Sequence, residues 1–302
     1  MIASVTLTRN DWHSLEQWKH FYDAYAPALG YHVVVDNASV PEYRQKLKEL
    51  FPQSVHLRRE VNGGTTGAYN TGIKWVLENH PEVDAILLIA NDIKISAADI
   101  GKLYARLAKD PSLGAVAPIL LDGKKEKIIA YGEKLYGNFG LNRLHDGEAF
   151  EPDQLPEEQP SECLPGGMCM VKTEVYRKVG LQDESLFMYF DENDFFYRVT
   201  QAGYALVTLR DAISAHCHIV TEGKGNDSGL AWFYINRNQL LLCRKYHRIT
   251  AFFRLWLKKT FVTGVKYSLG FLLREHALKK VFYYQLGIFC GFWGIRKNFV
   301  QK

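Results

Sequence analysis

Apolar positions in the first half of the chain fall into short runs separated by amphipathic stretches. Ile2 to Thr8 is a β-branched run of strand character, and behind it Leu15, Trp18, Phe21, Tyr22 and Tyr25 recur at helical spacing. Residues 31–36 (YHVVVD) read as a buried strand, 41–51 as a helix and 54–59 as a third strand. A glycine-rich loop then leads into a helix over 66–79. Residues 84–92 (DAILLIAND) read as a fourth strand, apolar without a break over 85–90, as a strand covered on both faces requires. A helix over 96–109 and a strand over 114–121 follow. This alternation predicts an α/β fold on a mainly parallel sheet flanked by helices.

Past 121 the pattern weakens, and 122–162 reads as loops and short strands of the kind that form lids or binding loops. Pro165-Gly166-Gly167 exposes backbone ahead of an apolar strand or helix. Residues 186–204 read as a loop entering a helix that is acidic at its start, and 205–216 as a strand ending in His216. Ligands of such sheets bind outside the carboxyl ends of the strands. Asp36-Asn37, the loop 61–72 and Asn91-Asp92 all end apolar strands at that edge, although each alone also serves as a turn or cap. The loop itself, VNGGTTGAYNTG, is not a P-loop, because no lysine follows before Lys74. Nor is it a dinucleotide fingerprint, because Asn62 stands where the first glycine belongs.

In their order and spacing, VTLTRN, VVVDNAS, NGGTTGAYNTGI, LLIANDIKI, LPGGMCMVKTEVYRKVG, FMYFDENDFFYR, AISAH and FYINRNQLLL resemble the family-2 glycosyltransferases of the GT-A fold. The resemblance spans most of residues 1–240 and is strongest to bacterial rhamnosyl- and related transferases that build surface polysaccharides. It implies a GT-A catalytic domain over 1–243, with a nucleotide-binding half (1–121) and an acceptor half (122–243), followed by a basic aromatic helical appendage over 244–302. It also implies an inverting transfer from a UDP- or dTDP-sugar to a hydroxyl of a glycan or lipid-linked acceptor, assisted by a divalent cation, Mn²⁺ or Mg²⁺.

Site residues follow from the same resemblance. Asp36 corresponds to the aspartate that accepts from the donor base, with an Asx-turn as the other reading. Asp92 corresponds to the last acid of an Asp-x-Asp motif whose first acid is replaced here by Ala90. His216 matches a position that completes the metal site or contacts diphosphate, a structural histidine being the alternative. Thr8, Asn10, Asn37, Asn62, Gly63, Asn70, Asn91, Gly166, Gly167 and Arg237 fall on the donor side. Asn70 reads equally as a brace for its loop, and Arg237 either pairs with donor phosphate or pins a loop through a carboxylate. The general base is expected in Asp191-Glu192-Asn193-Asp194, where the family has Glu-Asp-x-Asp. Glu192 takes the base position and Asp191 is the alternative, while Asp191 and Asp194, three apart, should share a helix face. Residues 218–229 read as a loop that closes over the donor.

Charge divides the chain in two. The net charge is +4, but residues 244–302 hold thirteen Lys and Arg against one Glu, a local +12 that leaves −8 on the preceding 243 residues. Thirteen aromatic residues interleave with cations over 249–302, which suits helices lying in a membrane interface; packing on the catalytic domain or on a second copy in a homodimer is the other reading. The start MIASVTLTRNDW has no basic patch followed by an apolar core, so a cleavable signal is not expected; no run of about 18 apolar residues occurs, and the five cysteines are scattered as in a reducing cytosol. The expectation is therefore a cytoplasmic protein seated at the cytoplasmic face of the inner membrane. No nucleic-acid module is recognisable. A sugar-1-phosphate nucleotidyltransferase would need a basic glycine-rich loop after the first strand, and TLTRNDWHS has no glycine. A non-catalytic sugar-nucleotide or glycan-binding protein stays open because of Ala90.

Overall fold

The computed structural model describes residues 1–217, 229–273, 275 and 277–299. Strands β1 (Ile2–Thr8), β2 (Tyr31–Asn37), β3 (Val55–Arg59) and β4 (Ala85–Ile89) alternate with helices α1 (Leu15–Tyr25), α2 (Pro41–Leu50) and α3 (Gly64–Asn79). β5 (Ile93–Ile95), α4 (Ala97–Lys109) and β6 (Leu113–Asp122) follow. The short strands β7 (Ile128–Ala130), β8 (Glu133–Leu135), β9 (Leu141–Arg143) and β10 (Glu158–Ser161) precede β11 (Met168–Lys172), α5 (Thr173–Val179), α6 (Asp191–Gln201) and β12 (Ala205–His216). After that come α7 (Leu230–Lys245), α8 (Ile249–Leu257), a π-turn (Lys258–Val262), α9 (Thr263–Leu273) and α10 (Leu278–Trp293).

The main sheet runs β10-β12-β6-β11-β4-β1-β2-β3. Its β3-β2-β1-β4 half is parallel, as the alternation predicts. The other half is mixed: β11 inserts antiparallel between β4 and β6, so β6 does not lie beside β4. β6 and β12 pair in parallel, and β10 closes that edge antiparallel to β12. Pairing partners far apart in sequence leave no trace in local periodicity, which is why the insertion is invisible from the pattern alone. Residues 122–162 are not an open lid. β7 pairs with β6, β8 and β9 form a hairpin, and β10 joins the sheet.

Both sheet faces are covered, and the apolar runs show how. Val33 and Val35 pack with Ala68, Ile73 and Val76 of α3, whereas Val34 faces Trp18 of α1 and Tyr43 of α2. Ile86 and Leu88 share the α3 side, while Leu87 and Ile89 meet Ile100, Leu103 and Leu107 of α4. Period-two side chains with no polar face are what a doubly covered strand needs.

The C-terminal helices share a core with the rest. Leu240, Leu242 and Cys243 of α7 and Phe139 cluster with Phe252, Leu255, Phe271, Tyr284 and Ile288. Gly287 lets α10 press on α7, since a Cβ there would fall 2.5 Å from the Phe233 carbonyl oxygen. The expected boundary at 243/244 falls inside α7. The outer face of this layer is apolar: Ile249, Phe253, Leu257, Phe261, Val265, Leu269 and Leu273 are all exposed, each four residues after the last. Four α-helical residues overshoot a full circle by ~40°, so such a row drifts; the wider π-turn sets part of that drift back. Among the described residues no helix is long and apolar enough to cross a membrane.

Candidate active site

The chain turns sharply after β4, where the Ile93 amide bonds back to the Ala90 carbonyl (3.2 Å). β5 then pairs antiparallel with the end of β12, placing His216 opposite Ile93, and the Cys217 amide donates to the Asp92 carbonyl (2.8 Å). That register brings His216 Nε2 to 2.9 Å from Asp92 Oδ2. The hydrogen bond to Asp92 raises the imidazole pKa above its ordinary 6.5, against the opposing effect of burial. Beside them, Asn91 Nδ2 donates to Asp11 Oδ2 (2.7 Å).

The acid pair is positioned by a strained segment. Phe187, Tyr189 and Phe190 all take left-handed backbone (φ 66°, 63° and 66°) immediately before α6. Such a run persists only where surroundings over-determine it. Here Asn238 Nδ2 donates to the carbonyls of Leu186, Met188 and Tyr189 (2.8, 2.9 and 2.8 Å). Arg237 donates to those of Ser185 and Leu186 (2.8 and 3.2 Å), and the Thr66 amide reaches the Phe187 carbonyl (3.2 Å). Gly64 sits against the same carbonyl with φ +70°, and a Cβ there would lie 2.0 Å from its oxygen. The glycine loop thus makes its close approach to the segment that launches α6.

Asp191 opens α6 and its Oδ2 accepts from the hydroxyls of Thr65 and Thr66 (both 3.2 Å). Glu192 faces a cleft of about 280 Å³ whose walls include Thr65, Tyr69, Ala90, Asn91, Gly166, Gly167 and Asp191. Burial, then the neighbouring Asp191 carboxylate, push the Glu192 carboxyl well above the usual carboxylate range. Gly167 closes the wall next to β4 by accepting the Ala90 amide (2.7 Å).

Several expected donor contacts are spent on holding loops instead. Thr8 bonds the Tyr43 hydroxyl. Asn10 accepts the Val40 amide (3.0 Å). Asn37 bonds Asn62, the Gly63 amide and the Gly64 carbonyl, and Asn62 accepts the Gly64 amide. Asn70 braces the Gln182 backbone through both ends of its amide (2.9 and 3.1 Å). With the amides of Gly63, Gly64, Thr66 and Gly67 all engaged, this loop is a wall rather than a phosphate cradle. Loops at a sheet edge must satisfy their own backbone groups, and short polar side chains do that best.

Arg237 follows the loop-pinning reading, through carbonyls rather than a carboxylate. It is fully buried, donates to the carbonyls of Ser185, Leu186 and Lys297, and burial lowers its pKa to about 10. Asp194, three residues on from Asp191, does not line the cleft. It is fully buried and accepts from Arg198 (3.0 Å), Lys245 (2.6 Å) and Tyr246 (2.8 Å), tying α6 to α7. Asp36 keeps both readings: its Oδ1 accepts the Ser39 amide (3.0 Å), while its buried Oδ2 has no hydrogen bond and lies 4.0 Å from Arg44 Nε. The loop expected to close over the donor lies, apart from Gly229, outside the described residues. Tyr69, Thr65, Thr66 and Asp11 were not singled out by the sequence reading, although the first three stand inside the glycine loop it quotes.

Asp92 and His216 offer one carboxylate and one imidazole, and no cluster of three metal-binding side chains occurs among the described residues. That pair fits a divalent cation whose remaining positions are filled by water or by ligand oxygens.

Residues 32–180 match the family described as Glycosyl transferase family 2. The chain carries a family-2 glycosyltransferase domain. It is 25% identical over 203 residues to the low-salt glycan biosynthesis hexosyltransferase Agl10 of Haloferax volcanii, a match covering 66% of this chain and 62% of that protein. It is 26% identical over 216 residues to the N-acetylglucosaminyl-diphospho-decaprenol L-rhamnosyltransferase of Mycobacterium tuberculosis, covering 66% and 70%. Two solved structures share the fold. One is the mannosyltransferase PcManGT from Pyrobaculum calidifontis in complex with GDP-Man and Mn²⁺ (TM-score 0.58, 11% identity, 97% of this chain and 87% of that one). The other is GalNAc-T7 with UDP, GalNAc and Mn²⁺ (0.63, 15%, 81% and 47%). The domain is therefore of the GT-A fold, and the chain spans less than two thirds of the haloarchaeal relative's length.

Proposed function

We propose that this chain transfers a glycosyl group, with inversion, from a UDP- or dTDP-sugar to a hydroxyl of a lipid-linked glycan acceptor. One observation carries the reading: a single cleft runs from Ala90-Asn91, beside the Asp92–His216 pair, to Asp191-Glu192. Glu192 is the base, taking the proton from the acceptor hydroxyl as that oxygen attacks the anomeric carbon. Asp191 raises the proton affinity of Glu192 and is itself fixed by Thr65 and Thr66. Asp36 offers its free Oδ2 to the imide N–H of the donor base. Asp92 and His216 would hold a divalent cation, and an imidazole ligand favours Mn²⁺ over Mg²⁺. Such a cation, when bound, neutralises negative charge on the departing diphosphate.

The acceptor class rests on the outer face of α8 to α10, where exposed apolar side chains alternate with Arg254, Lys258, Lys266 and Lys279. A basic, apolar helical face suits peripheral contact with an anionic membrane, here its cytoplasmic face. The mycobacterial relative's name also puts a lipid diphosphate on its acceptor. The test is a panel of UDP- and dTDP-hexoses, assayed for release of the nucleoside diphosphate. At least one should be consumed by the unaltered protein and not by Glu192→Gln. Release from none of them, or equal release by both proteins, sinks the reading.

A further inference from the structure

A second hollow lies between the turn 136–138 and residues 247–258 at the start of the C-terminal helices. It has a volume of about 700 Å³ and is walled by Tyr136, Asn138, Arg248, Arg254 and Lys258, with the start of α8 as its floor. The size is that of a ligand site, roughly 300–1,000 Å³. Its chemistry is one-sided. His247, Arg248, Arg254 and Lys258 all line it, and among the described residues no Asp or Glu does. Arg248 donates to the Tyr197 hydroxyl (3.3 Å), whereas Arg254 and Lys258 have no acidic partner among the described residues. Two other cations of this layer are matched to acids: Lys245 holds Asp183 and Asp194, and Arg296 holds Asp183.

What borders the hollow is informative on two sides. On one, the turn is bolted to the catalytic helix: the Phe139 carbonyl accepts from Asn193 Nδ2 (2.9 Å), and Asn193 follows Glu192 directly. On the other, Ile249 belongs both to the lining and to the exposed apolar row that continues through Phe253, Leu257 and Phe261. Arg254 and Lys258, four apart on one helix, stand beside that row. The turn 136–140 thus ties the hollow to the catalytic helix, and Ile249 ties it to the apolar ridge.

We infer that the hollow is the subsite for the phosphate groups of a lipid-linked acceptor, with the sugar in the Glu192 cleft and the hydrocarbon on the α8–α9 ridge. The assignment rests on the transferase reading and deepens it. An acceptor of the form sugar–diphosphate–lipid has its three parts in the order of the three surfaces, whereas a free sugar or a protein-bound glycan would leave the cations and the ridge unused. Arginine and lysine bind phosphate oxygens through charge-assisted hydrogen bonds, and the absence of competing carboxylates leaves those donors available. Asn138 and Tyr136 add polar groups at the edge nearest the cleft.

The probe is a short, water-soluble prenyl diphosphate such as farnesyl diphosphate, titrated against the full chain, with farnesol as the control lacking phosphate. The unaltered protein should bind the diphosphate well above farnesol. Arg254→Gln with Lys258→Gln, both exposed and therefore safe for folding, should weaken it at least roughly tenfold, and Arg254→Glu more. Equal affinity for diphosphate and alcohol, or no loss in the charge variants, overturns the assignment. A parallel arm uses phosphatidylcholine vesicles with and without phosphatidylglycerol. If the variants lose binding to phosphatidylglycerol vesicles as steeply as to the prenyl diphosphate, the hollow reads bulk headgroups and the acceptor assignment is overturned. Uridine diphosphate binding to the unaltered protein, measured alongside, tests the transferase reading separately.

Discussion

Glu192 and Asp194 stand two positions apart on α6, yet one opens into the cleft and the other is sealed between cations. Their substitutions should separate cleanly. Glu192→Gln keeps the shape and removes the proposed base, so transfer should fall roughly 10²–10⁴-fold with the melting midpoint unchanged or higher. Asp194→Asn should leave turnover per folded molecule nearly intact. It should lower unfolding free energy by about 2–4 kcal/mol, short of a fully buried pair because Lys245 and Arg198 stay partly exposed. Turnover and thermal melting on the same samples check both. The Asp191 charge raises Glu192, so Asp191→Asn should move the acidic fall-off of transfer to lower pH. Lys259 makes a separate case. It is buried, donates to Asn236 Oδ1 (2.7 Å), and burial lowers its pKa from 10.5 to about 8. Between these values the unfolded chain holds the extra proton, so stability should rise with pH from about 8 toward 10.5, and the penalty is full below about 8. Lys259→Met should flatten that rise and add roughly 1–3 kcal/mol at neutral pH, read by urea unfolding across the range.

Among the elements, α7 does most to fix the chemistry without touching the cleft. Arg237 and Asn238 hold the left-handed segment before α6, and Lys245 holds Asp183 and Asp194. Asn238→Ala takes a donor from three carbonyls, of which that of Leu186 keeps Arg237. It should cost about 2–4 kcal/mol and lower transfer roughly 10–100-fold through misplacement of Glu192, with nucleotide affinity little changed; chemical unfolding and a split of kcat from KM measure this. The strands were legible because burial on both faces leaves unbroken apolar runs, as in residues 85–89 and 114–121. The Asp92–His216 meeting was legible only as a resemblance, since it depends on the β5–β12 register. Thr8, Asn37, Asn62 and Asn70 could not be sorted from donor ligands by type. An asparagine that braces a loop and one that meets a nucleotide carry the same amide, and only the partner distinguishes them. Of the two readings of Arg237, the loop pin was legible but its acceptor was not, since a guanidinium suits carbonyls as well as carboxylates.

For the whole molecule, the proposed membrane contact would draw on the uneven charge and the exposed apolar row together, with the +12 C-terminal region toward the surface and the acidic body away from it. Phe253→Ser with Leu257→Ser and Phe261→Ser should abolish sedimentation with phosphatidylglycerol vesicles while the melting midpoint holds, because these side chains lie outside the shared core. Retained sedimentation would detach the row from membrane contact. Packing of α10 on α7 means that this face and the Glu192 segment are carried by one rigid layer. The most direct measurement of the central claim is calorimetric titration of uridine and thymidine diphosphates, with and without Mn²⁺, into the unaltered chain and Asp92→Ala. The unaltered chain should bind one of them more tightly with Mn²⁺ present, and Asp92→Ala should lose that increment. Binding that ignores Mn²⁺, or an increment that survives in Asp92→Ala, would contradict the account.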